Sequence, residues 1–188
     1  VDPLAPPPRP CLHHLFVSAH NPGAEAVVPE RIARHSGAAA LRTTSSFSEM
    51  GTAAFAMLYL NRETWSPRAG GEEALLQVEV AEALRQGVPL LLLHECDPEK
   101  GGVDFGQVIA STPQPLRDAD VYSKIAVPLK PGQYQPTSLF LIVKTLADAC
   151  QQAAAASSTQ AASVLAPSTS GGMSAKSSRN VWSSPWLR

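Results

Sequence analysis

Glu79 is one side chain of this 188-residue chain whose type and position could support catalysis. It lies in the segment EEALLQVEVAEALRQ, residues 72–86, which has the spacing of an amphipathic helix. A carboxylate there could reach a cleft, because open α/β sheets bind ligands beyond the carboxyl ends of their strands. The alternative is that Glu79 lies beside Glu82 on a solvated flank of the helix.

A second polar cluster, His94, Glu95 and Asp97, follows an apolar run. Histidine nitrogen and carboxylate oxygen are usable metal ligands. Successive residues of a strand point to opposite faces, however, so His94 and Glu95 cannot both reach one ion without a bend. We therefore predict no metal site here. We expect either a ligand-binding position for His94 and Glu95 or a network that stabilises the loop.

The three cysteines, Cys11, Cys96 and Cys150, are odd in number and far apart. They have neither CxxC spacing nor the pattern of a disulfide framework. Reduced thiols in an intracellular, cytoplasmic protein are the expectation.

A helix and a following strand must position Glu79 and His94. Leu76, Val80 and Ala83 recur at helical spacing, and Gly87 followed by Pro89 is a helix stop. Val88–Leu93 then reads as a strand covered on both faces, which is typical of a parallel sheet. Together with a preceding strand at Ala54–Leu60, these elements predict a βαβ unit.

Further strands complete the predicted sheet. They are expected at Leu12–Ser18, Ala38–Thr43 and Ile125–Leu129, where Pro128 indicates either an edge strand or the end of the strand. Helical segments alternate with them, and Ser138 is predicted to cap the last helix. The pattern predicts an α/β protein with a five-stranded, mostly parallel, doubly wound sheet. GxGxxG, P-loop and GxSxG motifs are absent from the sequence.

Composition sets the domain bounds and excludes some partners. The net charge of -1 argues against nucleic acid, and no apolar run approaches the ~20 residues that would insert into a membrane. Residues 1–10 are proline-dense and predict a linker, whereas residues 151–188 are rich in Ala, Ser, Thr and Gly and predict a disordered tail. The domain is expected at 11–150. The chain begins at Val1 rather than at a methionine, so we expect a module of a longer protein, and no signal-peptide pattern is visible in the sequence given.

Three stretches carry a family resemblance: LFVS ending at Ser18, MLYLNRETW ending at Trp65, and the helix with Glu79. Together with the order of elements, they resemble a TIR-type domain of flavodoxin-like fold over about Leu12–Ala149. Three segments, LYLNRETW, GVPLLLLHE and YSKIAVPLK, are also similar to segments of large multidomain algal proteins of unknown function. The resemblance implies ligand-binding roles for Ser18 and Trp65.

Enzymatic members of the family cleave NAD with a glutamate on this helix, and Glu79 falls at the matching place. The chain departs from the family pattern where Ser66 follows Trp65, and the segment between Arg42 and Phe55 is short. Our prediction is therefore a non-catalytic protein-interaction or regulatory module that needs no cofactor. Its partners would be other proteins, including a second copy of itself. The alternative is an NAD-cleaving hydrolase with Glu79 as its catalytic carboxylate.

Overall fold

The computed structural model describes residues 11–36 and 41–164. Within them, five strands form one all-parallel sheet in the order β2-β1-β3-β4-β5. The strands are β1 (His13–Val17), β2 (Thr43–Thr44), β3 (Ala53–Leu60), β4 (Leu90–Glu95) and β5 (Val127–Leu129). The predicted α/β class is confirmed, and the order is that of flavodoxin-like doubly wound folds.

Helices connect the strands and cover both faces of the sheet. The α-helices are α1 (Ala24–Val27), α2 (Arg34–Ser36), α3 (Glu72–Gln86), α4 (Phe105–Ser111), α5 (Gln114–Asp118) and α6 (Gln135–Val164). A π-helical turn, Val28–Ala33, joins α1 to α2. Short 3₁₀ turns lie at Phe47–Thr52, Ala69–Gly71, Pro98–Lys100 and Gly132–Tyr134.

The core is two apolar layers separated by the sheet. Alternate residues of β4 enter each layer: Leu91 and Leu93 pack with α1 and α6, whereas Leu90 and Leu92 pack with α3. All four are buried. This is why the run lacks polar alternation, and it confirms the prediction of a strand covered on both faces.

The end of α3 is fixed by local backbone chemistry. Gly87 has φ 71, a left-handed conformation that side chains disfavour. The amide of Val88 then donates to the carbonyl of Ala83 at 2.9 Å, which closes a Schellman motif. Val88 and Pro89 belong to this turn, so β4 begins at Leu90, two residues later than predicted. The strand then extends to Glu95.

Other boundaries also differ from the sequence prediction. The second strand is Thr43–Thr44 rather than Ala38–Thr43, and residues 37–40 lie outside the described part. The last helix begins at Gln135, because Pro136 is tolerated in a first turn, where its missing N–H has no intrahelical acceptor. Ser138 is therefore inside the helix, where its hydroxyl donates to Tyr134 O at 3.4 Å.

The predicted tails fall largely outside the described residues. This applies to the proline-dense segment 1–10 and to residues 165–188. Helix α6 continues past Gln151 to Val164, so the change in composition at that point does not end the helix. Within residues 11–36 and 41–164, no helix combines the length and apolarity needed to cross a membrane.

Replacing Leu92 with alanine should lower the free energy of unfolding by about 2–5 kcal/mol, because the side chain is 1% exposed and its loss leaves a cavity. Leu141→Ala is the matched control, since that leucine is 44% exposed on α6. Urea titration should show a change within about 0.5 kcal/mol for the control. Equal effects of the two substitutions would contradict the central position of β4.

Candidate functional site

A cleft of about 380 Å³ opens at the carboxyl ends of β1, β3 and β4. Its walls include Pro22 and Gly23 after β1, Tyr59 and Asn61 at the end of β3, and Gly101 after β4. The strand order reverses between β1 and β3, and ligands of open α/β sheets bind at such a switch point. The geometry makes this edge the candidate functional region.

Two asparagines hold the floor of the cleft rigid. The Asn21 side chain pairs with the backbone of Tyr59, donating to its carbonyl at 2.8 Å and accepting from its amide at 2.7 Å. Asn61 Nδ2 donates to Pro22 O at 2.8 Å. Gly23, at φ 79, lies so close to Tyr59 that a Cβ would meet ring atom Cε1 at 3.0 Å. The loop after β1 is thus fixed to the end of β3.

Glu95 anchors one side of this edge as a buried charge with no solvent exposure. Its Oε2 accepts from Arg31 Nη1 at 2.7 Å and from the Tyr59 hydroxyl at 2.6 Å, and its Oε1 accepts from the amide of Asp97 at 2.9 Å. A buried carboxylate is tolerated when its oxygens are paired in this way. Arg31 reaches Glu95 from the π-helical turn, a feature often found at functional sites.

Burial and the neighbouring Glu95 also change the chemistry of Tyr59. The pKa of Tyr59 is raised, first by burial, then by its hydrogen bond to Glu95 and by that carboxylate's charge. The phenol therefore stays protonated and continues to donate to Glu95 at neutral pH. It acts as a structural donor rather than as a base.

Glu79 lies on the other face of the sheet, where its carboxylate accepts a hydrogen bond from the Ser18 hydroxyl. Ser18 Oγ in turn accepts from the amide of His20 at 3.0 Å. Glu79 is half-buried on the flank of α3, so it is neither fully solvated nor exposed to a spacious cleft. The void beside it measures about 10 Å³, which is room for about one water molecule.

Trp65 has a packing position. It is buried, and its Nε1 donates to the hydroxyl of Tyr122 at 3.3 Å. The Tyr122 hydroxyl is also 2.6 Å from Thr112 Oγ1. Trp65 lines neither the cleft nor the void beside Glu79. Its contacts join the loop after β3 to the α4–α5 region.

His94 points to the face opposite Glu95, as expected for neighbouring residues of a strand. Its Nε2 is 2.8 Å from the carbonyl of Val103, and its ring contacts Phe105 edge-on with centroids 5.1 Å apart. Cys96, two residues along the same face, has its Sγ 3.7 Å from His94 Nδ1. Burial first, and the charge of Glu95 second, raise the pKa of Cys96, so its thiol is protonated and a poor nucleophile at neutral pH.

Of the residues predicted from the sequence, the structure brings Ser18 and Glu79 together and separates His94 from Glu95. Arg31 and Tyr59 were not predicted. Arg31 follows Val27 by one helical turn on an apolar face, and an arginine that is buried there is expected to have an acidic partner. Tyr59 ends an apolar run, and its hydroxyl likewise requires an acceptor.

Within the described ranges, no group of three or more His, Cys, Asp or Glu side chains is arranged to hold a metal ion. None of the protein-family models, curated proteins or solved structures compared with this chain matches it. The protein is thus defined by its class, a doubly wound α/β domain with a five-stranded parallel sheet.

Replacing Glu95 with alanine should lower the free energy of unfolding by about 3–5 kcal/mol, because it leaves the Arg31 guanidinium buried without its counter-ion. Glu99→Ala is the matched control, since this exposed carboxylate lines the same cleft. Chemical denaturation of both variants at neutral pH measures the difference. A Glu95→Ala variant as stable as the control would show that the buried pair contributes nothing net.

Alkaline pH should destabilise the protein through Tyr59. Its folded pKa lies above the unfolded value of about 10, so its contribution is complete below pH ~10 and is lost as pH rises toward the folded pKa. In Tyr59→Phe this part of the pH dependence should disappear. Unfolding free energies measured from neutral pH upward test this, and an unchanged alkaline slope in Tyr59→Phe would contradict it.

Proposed function

We propose that this chain is an intracellular, non-catalytic protein-interaction module with a TIR-like α/β fold, one module of a larger protein. The observation that carries the proposal is the outward face of α3. The resemblance at Ser18, Trp65 and Glu79 and the flavodoxin-like strand order support the TIR-like part.

Helix α3 is apolar on two faces. Leu76, Val80 and Ala83 are buried against the sheet. On the opposite side, Leu75 and Val78 are 47% and 58% exposed. Two exposed alanines extend this outward apolar stripe, which comprises Ala74, Leu75, Val78 and Ala81. A surface helix ordinarily carries polar residues on its outer side, so the stripe supports a partner on this face.

The polar groups at the carboxyl edge support the non-catalytic part of the proposal. Glu95 is held by Arg31 and Tyr59, and Glu79 is held by Ser18. A hydrolase for NAD must place a carboxylate beside the sugar in a dry pocket. The void of about 10 Å³ beside Glu79 has no room for a ribose.

A second copy of the chain is the partner that we propose for the stripe. Two α3 helices packed antiparallel about Val78 would cover the apolar side chains of each other. The charged side chains nearby are paired within the chain, Arg85 with Glu82 at 2.5 Å and Glu72 with Arg68 at 3.4 Å, so the contact would depend on apolar packing. Such a two-fold contact is self-complementary, and the opposed helix dipoles favour it. An interface of one helix face falls below the ~1,200 Å² of stable complexes, so the association is weak.

The substitution Val78→Asp should abolish this association, because the two-fold axis would place two carboxylates against each other. Sedimentation velocity over a rising concentration series should show reversible dimer formation for the wild-type chain only. Ile125→Asp is the matched control, since that residue is 95% exposed and is not part of α3. A wild-type chain that stays monomeric, or equal effects of both substitutions, would contradict self-association through α3.

The alternative function is NAD cleavage, and one observation favours it. The Ser18 hydroxyl holds the Glu79 side chain toward the carboxyl end of β1 rather than toward solvent. If the void beside it opened, that carboxylate could stabilise the positive charge that develops on the sugar as nicotinamide leaves.

We expect NAD to remain intact over hours with concentrated protein, because the Glu79 carboxylate has no substrate space beside it. Chromatographic measurement of nicotinamide tests this. Glu79→Ala, checked for folding by circular dichroism, is the control. Nicotinamide release that vanished in the folded variant would replace the interaction module with the hydrolase.

A further inference from the structure

We propose that His94 and Cys96 form a chelating site for a thiophilic divalent metal ion such as Zn²⁺, independent of the function proposed above. The two residues are separated by one position at the end of β4, so their side chains share one face of the sheet. Cys96 continues the pairing with β5, since its amide donates to Leu129 O at 3.1 Å. Both potential ligands are therefore held on regular backbone.

The separation of the two ligand atoms suits one ion. Cys96 Sγ and His94 Nδ1 are 3.7 Å apart. Zinc binds thiolate sulfur at ~2.3 Å and imidazole nitrogen at ~2.0–2.1 Å, and a tetrahedral angle between such bonds separates the two ligand atoms by about 3.6 Å. The observed separation of the two atoms thus matches that expected for two ligands of one tetrahedral ion.

The hydrogen bonds of His94 select the nitrogen that would bind. A backbone carbonyl only accepts, so the contact between Nε2 and Val103 O at 2.8 Å places the ring proton on Nε2. The lone pair is then on Nδ1, on the side of Cys96. Metal-ligating histidines characteristically donate their other ring N–H in this way. The edge-on contact with Phe105 further restrains the ring.

The site is open to an incoming ion. His94 and Cys96 both line a surface cavity of about 480 Å³ together with Asp104 and Phe105. The metal would displace the Cys96 proton, which leaves to solvent, and bind the thiolate and the neutral imidazole. Water would fill the remaining positions, as in zinc sites that keep coordination positions open.

Cobalt titration tests the site, since Co²⁺ bound to thiolate gives a charge-transfer absorption band and Zn²⁺ displaces it. The full chain carrying Cys11→Ser and Cys150→Ser leaves Cys96 as its one thiol. We expect a saturable band with one cobalt per chain, lost when zinc is added. Further substitution by Cys96→Ser, which keeps a hydroxyl near Nδ1, should abolish the band.

His94→Gln separates a chelate from a lone thiol, because it retains Cys96. The cobalt affinity should fall at least about tenfold in this variant. A band of equal affinity in His94→Gln, a band that survives Cys96→Ser, or no saturable band in the parent would each overturn the proposal. Circular dichroism verifies folding, and the near-isosteric Cys96→Ser variant keeps the test decisive if His94→Gln unfolds.

Discussion

The buried negative charge of Glu95 is the constraint on which the carboxyl edge of this fold depends. An ionised carboxylate without solvent must be compensated nearby, since its desolvation costs several kcal/mol. Arg31 and Tyr59 supply that compensation from the π-helical turn and from β3. Arg31 belongs to the π-helical turn, and its side chain is 10% exposed. One wall of the cleft is therefore formed by Arg31 and Tyr59, and the charge of Arg31 is neutralised by Glu95.

The alternation of β4 separates the remaining chemistry of this edge. Leu93 and Glu95 face the layer of α1 and α6, whereas His94 and Cys96 face the side of Val103 and Phe105. One strand end thus supplies a buried ion pair on one face and a thiol–imidazole pair on the other. The ion pair and the thiol–imidazole pair stay on opposite faces of the sheet. A shift of β4 by one residue would put the Glu95 carboxylate, without its counter-ion, among apolar side chains.

Local signals made much of the fold predictable from the sequence. Helix α3, its stop at Gly87 and the buried strand that follows are specified by residues adjacent in the chain, so their prediction was confirmed within two residues. The prediction of strand β2 was less accurate. It is a two-residue edge strand that pairs with β1 alone, and two residues are too few to show the alternation of a strand.

The candidate site was less predictable, because its contacts join distant parts of the chain. Arg31 and Glu95 are 64 positions apart, and Ser18 and Glu79 are 61 apart. The sequence identifies Glu79 and Glu95 as carboxylates at positions suited to a site. Their hydrogen-bond partners, however, depend on how β1, β3 and α3 meet in space. The separation of His94 from Glu95 was foreseeable, since it follows from strand geometry alone.

Our proposal of association rather than hydrolysis depends on two contrasting surfaces, the hydrogen-bonded carboxyl edge and the apolar outward face of α3. At the carboxyl edge, Glu79 and Glu95 accept hydrogen bonds from side chains of this same chain, so a substrate would have to displace those donors. On α3, by contrast, Leu75 and Val78 expose apolar surface that nothing in the described part of the chain covers. Burying apolar surface releases free energy roughly in proportion to its area, whereas breaking a buried hydrogen bond costs it. A partner on the outward face of α3 would therefore gain apolar burial without displacing a buried hydrogen bond.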